Sequence, residues 1–198
     1  MVLVPFFQNC VRLLALPIYV LSFLGYWDSI CKRIFPYFIS KFSKRYNQKL
    51  YKEKELLFSN LEDFTGPSGE LLLLEIGAGS GANFQFYPPG CQVTCTDPNP
   101  NFQKYLQQSM AENRHLQYKR FVVAPGEDLH QVPDGSVDVV VCTLVLCSVA
   151  SVPAILKEVL RILRRFKQLP GCSLSLKAYS QEMPEKQTLL YIWNFQLQ

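Results

Sequence analysis

Residues 71–81 read LLLLEIGAGSG, and Asp97 follows sixteen positions later. The four leucines predict a buried parallel strand, because strands covered on both faces read as continuous apolar runs. The glycines after Glu75 predict a turn in which backbone N–H groups approach a ligand closely. A second apolar stretch ends at Asp97, where a carboxylate can accept both hydroxyls of a ribose. We therefore predict a nucleotide-like cofactor across the carboxyl ends of a doubly wound sheet.

Beyond this turn, strand-like and helix-like segments alternate. Apolar runs predict strands at residues 71–74, 92–96, 120–123 and 136–142. Helices are predicted at residues 101–113 and 152–165, and a short helix near Gly81. Such alternation is typical of a parallel sheet with helices on both faces. The predicted fold class is α/β, a Rossmann-like doubly wound parallel sheet, with the core domain over residues 70–164.

The composition indicates one domain with an additional segment whose apolar side chains contact lipid or a partner. Of the 198 residues, 18% are charged and 13% are aromatic. The net charge of +4 is unevenly placed, because residues 32–54 hold eight lysines and arginines against Glu53 alone. Such a cluster suits an anionic membrane surface or a nucleic acid. Because it follows a lipophilic segment, we predict a membrane partner and no nucleic acid.

Residues 1–30 predict a membrane anchor. The order of charged and apolar residues is not that of a signal peptide. The uninterrupted apolar part, residues 13–27, is shorter than the roughly 20 residues of a straight spanning helix, and Pro17 would kink it. We expect insertion into one leaflet, or a tilted or hairpin insertion, with the following domain on the cytosolic side. The alternative is a helix packed on the protein's own core.

Residues 31–69 connect this anchor to the predicted domain. Aromatic and basic side chains are mixed in residues 31–43, which fits a segment at the depth of lipid headgroups. Apolar residues at helical spacing predict one helix over residues 45–64, ended by TGPSG at residues 65–69.

The seven cysteines predict neither a disulfide nor a metal site. Their number is odd, no C-x-x-C occurs, and Cys95 and Cys142 lie in predicted buried strands. We expect reduced thiols that pack as small apolar residues, including Cys142 and Cys147 beside the predicted pocket.

Two cofactors compete for the glycine turn. Gly77, Gly79 and Ala82 satisfy a relaxed dinucleotide fingerprint, and Asp97 lies about where its ribose-binding acid is expected. Glu75, however, directly precedes the turn, where its charge opposes a pyrophosphate. It suits instead the α-ammonium group of S-adenosylmethionine.

Two further segments favour S-adenosylmethionine. Polar groups of Gly126-Glu127-Asp128, after the third strand, can reach an adenine edge. Asp138 begins the fourth strand, which runs into residues 143–146 and would floor the pocket near the methionine portion.

Together these motifs resemble class I S-adenosylmethionine-dependent methyltransferases. More narrowly, GANFQFYPPGCQVTCTDPNPNF (residues 81–102), AENRHLQYKRFVVAPGEDLHQVPDGSVDVVVCTLVLCSV (residues 111–149) and the apolar N-terminus resemble the methyltransferase-like protein 7 family. The resemblance extends from about residue 1 to Leu163.

This resemblance implies a membrane-anchored enzyme of the endoplasmic reticulum and lipid droplets that methylates small lipophilic thiols. The residues carried over by position are Glu75, Gly77, Gly79 and Gly81 on the methionine and ribose side, Asp97 at the ribose hydroxyls, and Glu127 and Asp128 near the adenine.

The chain departs from that family after Arg164. The family continues into strands that supply its substrate wall, whereas residues 165–198 here resemble nothing in it. We expect an alternative or truncated C-terminus and a sheet incomplete at its C-terminal strands, with reduced stability because an apolar edge is exposed. Residues 170–176, PGCSLSL, can mimic the missing turn and strand.

No catalytic residue is predicted. Methyl transfer from a sulfonium to a thiolate needs alignment more than activation. His130 is one candidate for a general base, and His115 is expected to face solvent. Two functions stay open: an active methyltransferase, and a catalytically silent membrane protein that retains at most cofactor binding.

Overall fold

The computed structural model describes residues 3–66, 68–164, 174–179 and 192–197. Three helices come first: α1 (Leu3–Phe23), α2 (Trp27–Lys49) and α3 (Tyr51–Phe58). The following elements are β1 (Leu72–Ile76), β2 (Gln92–Thr96), α4 (Gln103–Glu112), β3 (Gln117–Val122), β4 (Val139–Thr143) and α5 (Val152–Ile162). Two further strands are β5 (Leu174–Tyr179) and β6 (Ile192–Leu197).

The strands form one sheet in the order β3-β2-β1-β4-β6-β5. β1 pairs in parallel with both β2 and β4, and β2 pairs in parallel with β3. The chain moves outward from β1 to β3 and returns on the other side at β4. Ligands of open α/β sheets bind at the carboxyl ends of the strands where the order reverses in this way. The predicted Rossmann-like arrangement is confirmed for these four strands.

Each face of the sheet has its own apolar core, which explains why the residues before Glu75 are all leucines. Leu73 packs with Leu57 of α3 and Leu106 of α4. Leu74 points the other way and packs with Val159 of α5. Burying one such side chain stabilises the fold by about 2 kcal/mol. The helices therefore cover both faces, as the alternation of elements predicts.

The prediction of a single helix over residues 45–64 is wrong, and the short helix predicted near Gly81 is a 3-10 helix that begins at Phe84. The single helix over residues 45–64 is interrupted at Leu50, whose φ of −109° and ψ of 25° separate α2 from α3. Near Gly81 the chain forms a turn followed by a short 3-10 helix, Phe84–Phe86, instead of an α-helix. Gly77, Gly79 and Gly81 all have positive φ, which an α-helix does not accommodate.

The sheet continues past β4, where the sequence led us to expect an incomplete edge. β6 pairs antiparallel with β4, and β5 pairs antiparallel with β6, so the sheet is mixed. Of the segment expected to replace the missing turn and strand, residues 174–176 lie in β5, at the sheet edge, and residues 170–173 lie outside the described residues. β6 occupies the place beside β4, and its sequence alternates between apolar and polar residues from Trp193 to Leu197.

The apolar N-terminal sequence lies in α1 and α2. Pro17 is inside α1 and does not end it. α2 begins at Trp27, so the predicted boundary between residues 30 and 31 lies within a helix. Among the described helices, none alone is long and apolar enough to cross a membrane. Residues 11–23 and α2 meet the requirements of length and composition only when taken together, and they are bent by 106° relative to each other.

Candidate functional site

A cleft of about 640 Å³ lies at the carboxyl ends of β1, β2 and β4. It is bounded by the glycine turn after β1, by the loops after β2, β3 and β4, and by one side of α2. Five of the seven predicted site residues line it: Glu75, Gly77, Gly79, Asp97 and Glu127. Gly81 and Asp128 lie outside its lining.

The glycine turn has a shape that side chains would disrupt. At Gly77, where φ is +63°, an added Cβ would lie 2.3 Å from Val145 Cγ2. At Gly81, where φ is +74°, it would lie 2.6 Å from the Phe84 ring. Gly81 therefore shapes the turn by packing on Phe84, while Gly77 and Gly79 border the cleft.

Asp97 lies directly after β2, at the predicted place. Its carboxylate accepts backbone N–H groups from Gly79 at 3.2 Å and Asn99 at 2.8 Å. Burial raises the pKa of Asp97, and the two N–H groups oppose that change. Since a carboxylate has about four acceptor positions, Asp97 keeps acceptor capacity for a ligand in the cleft.

Glu75, at the end of β1, is 2% exposed. One carboxylate oxygen accepts the side-chain N–H of Asn83 at 2.6 Å. The other oxygen and the neighbouring Tyr87 hydroxyl are buried, and neither has a hydrogen-bond partner of ordinary geometry among the described residues. Burial raises the pKa of Glu75 to about 7, against the opposing effects of Tyr87, Asn83 and Lys54. A buried, incompletely bonded carboxylate fits a cationic ligand group and opposes a phosphate.

Lys54 lines the cleft, although from the sequence it was predicted only as a member of the basic cluster in residues 32–54. It is 3% exposed, and its ammonium donates to Asn47 at 2.7 Å and to Asn83 at 2.8 Å. Burial lowers the pKa of Lys54 to about 8, although the charge of Glu75 acts in the opposite direction. Its position between Leu50 and Leu57 on the apolar stripe of the helix was the available signal.

The loop after β3 separates two residues that the sequence placed together. Glu127 lines the cleft, and its carboxylate accepts the backbone N–H of Ala150 at 2.8 Å. Asp128 is exposed and pairs with His130 at 2.8 Å. This pairing lowers the pKa of Asp128. The structure therefore brings Glu127, but not Asp128 or His130, to the cleft.

One wall of the cleft is apolar and comes from α2. Phe35, Ile39, Phe42 and Tyr46 recur at helical spacing and all line it. The helix is fixed above the cofactor side by the Phe35 ring, which meets Phe102 edge-on at 6.1 Å between centroids. Asn99 also donates its side-chain N–H to the carbonyl of Lys32 at 2.8 Å.

The opposite wall follows β4. Thr143, Leu144 and Val145 line the cleft, whereas Leu146, the fourth residue predicted there, packs against the core on the α5 side; Leu144 has a φ of +58°. A left-handed conformation at a non-glycine residue costs about 1–2 kcal/mol and is concentrated at functional sites. Asp138 is remote from this wall, because its carboxylate accepts the backbone N–H of Leu72 and the guanidinium of Arg164.

The other titratable residues considered from the sequence do not line the cleft. His115 contacts the carbonyl of Tyr87 at 3.2 Å, and Cys142 is buried in the core beneath α5. Cys147 is exposed, which differs from the packing role expected for it. In the part of the chain that the structure describes, no cluster of three or more His, Cys, Asp or Glu side chains could hold a metal ion.

Comparison with known proteins identifies relatives of this chain. Residues 74–166 match the family described as "Methyltransferase domain". Human "Thiol S-methyltransferase TMT1A" is 65% identical over 144 residues, which cover 73% of this chain and 59% of the relative. Human "Thiol S-methyltransferase TMT1B" is 58% identical over 163 residues, or 82% of this chain and 67% of the relative.

The rat relative extends the similarity toward the C-terminus. Rat "Thiol S-methyltransferase TMT1B" is 53% identical over 190 residues, which cover 96% of this chain and 76% of the relative. So long a match includes most of residues 165–198, which corrects the expectation that this segment resembles nothing in the family. The chain still spans only 59% of the length of human TMT1A.

Proposed function

The chain belongs to the thiol S-methyltransferase family of these relatives, and we propose that it transfers a methyl group from S-adenosylmethionine to a small lipophilic thiol at a membrane surface. The observation that carries the proposal is the single cleft in which Glu75, Gly79 and Asp97 face the apolar wall of α2. The two sides of this cleft have different chemistry, as a site for a charged donor and a lipophilic acceptor requires.

The polar side of the cleft holds the cofactor. S-adenosylmethionine supplies a methyl group already activated on a sulfonium. Asp97 accepts the ribose hydroxyls with the acceptor capacity that Gly79 and Asn99 leave free. Glu75 receives the α-ammonium group, and Glu127 borders the adenine side.

The apolar side of the cleft holds the acceptor. Phe35, Ile39 and Phe42 give a surface that favours an alkyl or aryl thiol over a strongly hydrated substrate. The acceptor thiol loses its proton to solvent, and the resulting thiolate is less solvated beside this apolar wall than in bulk water, which raises its reactivity. The protein's contribution is then to align sulfur and methyl group.

The exposed side chains of the N-terminal helices support a membrane location for this cleft. Large apolar side chains of α1 are exposed, among them Leu14 at 79% and Phe23 at 91%. α2 carries exposed Tyr37 and Phe38 beside its exposed lysines and arginines, a combination suited to the headgroup region. We place the protein on the cytosolic face of the endoplasmic reticulum membrane and of lipid droplets.

The alternative is a catalytically silent membrane or lipid-droplet protein that retains at most cofactor binding. It is favoured by one observation: past β4 the sheet continues with two antiparallel strands, β6 and β5, which lie outside the matched methyltransferase domain. The two functions differ in whether bound S-adenosylmethionine is consumed when a thiol is added.

The test uses the purified full chain in detergent micelles. We would measure binding of S-adenosylhomocysteine by calorimetry and then methyl transfer from labelled S-adenosylmethionine to a simple alkyl thiol. Phe42→Ala is expected to raise the thiol KM several-fold and leave cofactor affinity unchanged. Phe38→Ala, an exposed aromatic outside the cleft lining on the same helix, is the matched control.

The outcomes of these measurements distinguish the two proposed functions. Binding with turnover supports the methyltransferase, and binding without turnover supports the silent protein. A chain that binds neither form of the cofactor would overturn the methyltransferase and leave the silent protein. Flotation with vesicles of phosphatidylcholine and phosphatidylserine tests the membrane assignment, which fails if the chain stays at the bottom of the gradient.

A further inference from the structure

Lys54 is the one buried cation among the described residues, and it lies beside the cofactor side of the cleft. A buried ammonium is costly unless its N–H groups are bonded. Two of them are, to the side-chain oxygens of Asn47 in α2 and Asn83 after the glycine turn. Lys54 itself is in α3, so three separate segments meet at one charge.

Asn83 connects this charge to Glu75. Its side-chain oxygen accepts from Lys54, so its NH₂ group must face the other way. That group donates to Glu75 at 2.6 Å and to Thr143 at 2.9 Å. The amide dipole is thereby aligned from the ammonium to the carboxylate, and such aligned bonds strengthen one another in a low-dielectric interior.

Among the described residues, Lys54 is the one cation that acts on Glu75. The titratable groups that face it are Tyr87 after the 3-10 helix, Cys95 of β2 and Cys142 of β4, in addition to Lys54. None of the first three stabilises a carboxylate by charge. Lys54 is therefore the group whose charge favours ionisation of Glu75, Asn83 joins the two by hydrogen bonds, and the Tyr87 hydroxyl adds an uncharged contribution.

We propose that Lys54 is a positioning residue for cofactor binding, which acts through Asn83 to keep the Glu75 carboxylate ionised and oriented toward the cofactor's ammonium group. The role rests on the proposed function, because it presumes that Glu75 receives a cation. It also assigns part of the cofactor site to α2 and α3, which precede the matched methyltransferase domain. Asn47 strengthens this link, since its side chain also donates to the carbonyl of Ala82 in the turn.

The test is the pH dependence of S-adenosylhomocysteine binding to the full chain between pH 5.5 and 8. In the unmodified chain, affinity falls as the pH is lowered and Glu75 gains a proton. Lys54→Met removes the charge and keeps the length, so the midpoint of this fall moves to higher pH. For a shift of one unit, the apparent Kd rises about fivefold at pH 7 and about twofold at pH 8. Lys52→Met, an exposed lysine of the same helix, is expected to leave the profile unchanged.

A second variant separates positioning from general stability. If Lys54 acts through Glu75, then Lys54→Met changes the Kd no further in a Glu75→Gln background. An unchanged midpoint in Lys54→Met, or an equal loss of affinity at every pH, overturns the proposal. If Lys54→Met does not fold, Asn83→Ser interrupts the same connection and must shift the midpoint in the same direction. If the unmodified chain binds no S-adenosylhomocysteine, both the proposed function and this role of Lys54 are overturned. If the unmodified chain binds it and Lys54→Met has the same pH profile, only the role of Lys54 is overturned.

Discussion

Asp97 accepts the backbone N–H of Gly79 at 3.2 Å, which ties the end of β2 to the glycine turn after β1. The bond links two elements that the chain separates by eighteen residues. Because the same carboxylate also accepts the N–H of Asn99, Asp97 shapes the cleft as well as lining it. Substitutions at this position therefore test binding and turn geometry at once.

Asp97→Asn is expected to weaken S-adenosylhomocysteine binding at least tenfold. The amide has only one acceptor oxygen, so it cannot bond both backbone N–H groups and also receive the ribose hydroxyls. Calorimetry with the full chain measures the change. Asp63→Asn alters an exposed carboxylate by the same chemistry and should bind normally. Equal affinities for both variants would remove Asp97 from the site.

Glu75→Gln is expected to stabilise the fold while weakening cofactor binding. The folded-state pKa of Glu75 is raised to about 7, so the folded chain holds a proton that the unfolded chain has lost between about pH 4.5 and pH 7. Stability contributed by the neutral carboxyl is therefore present below pH 4.5 and falls as the pH rises to 7. A shift of this size corresponds to at most about 3 kcal/mol.

Urea unfolding at a series of pH values checks this prediction. The unmodified chain should lose stability from pH 4.5 to 7 relative to Glu75→Gln, whose amide does not titrate. Parallel pH profiles for the two chains would show that the buried carboxyl is not the source of the dependence.

Gly77→Ala is expected to destabilise the protein more than Gly79→Ala. Both glycines have positive φ, which costs an alanine about 1–2 kcal/mol. Only at Gly77 does the new Cβ also collide with Val145, because the nearest atoms to a Cβ at Gly79 lie at 3.8 Å. Thermal melts of the two variants give the comparison. Adding Val145→Ala should restore part of the loss in Gly77→Ala and none in Gly79→Ala.

Arg164→Met is expected to lower the free energy of unfolding by roughly 2–3 kcal/mol, because it leaves the buried Asp138 carboxylate without its cation. The two groups are 3.1 Å apart, and the Asp138 side chain is fully buried. The double variant Asp138→Asn, Arg164→Met should lose less than the single one, since no buried charge is then unpaired. Arg114→Met, at an exposed arginine, serves as the control in the same urea titrations. A double variant less stable than Arg164→Met would contradict this account.

The sequence predicted correctly those structural features that depend on residues close together in the chain. The glycine turn, the acid after β2 and the parallel order of the first four strands follow from residues 71–143 because each feature is local or follows from the alternation of elements. The prediction was weaker where partners come from distant segments. Glu127 lies at the cleft with its carboxylate bonded to the backbone N–H of Ala150, 23 residues further along the chain, and no local pattern distinguished it from Asp128.

The N-terminal helices show the same division. Their apolar and basic character was evident from composition, but the break at Leu50 was not, because periodicity continues across it. Lys54 is buried together with Leu50 and Leu57 and donates to Asn47 and Asn83, one of which lies far along the chain. Similarly, β6 lies beside β4 although the intervening chain gives no local signal for that pairing.

By itself, the sequence determined the α/β architecture, the turn that approaches a cofactor and the carboxylates that precede and follow it. These depend on apolar periodicity and on the backbone freedom of glycine, both of which are local properties. Only the tertiary structure decided which charges are buried and what they touch. Burial and long-range hydrogen bonds set whether Glu75 is ionised and place Lys54 behind it, and neither property belongs to any single segment.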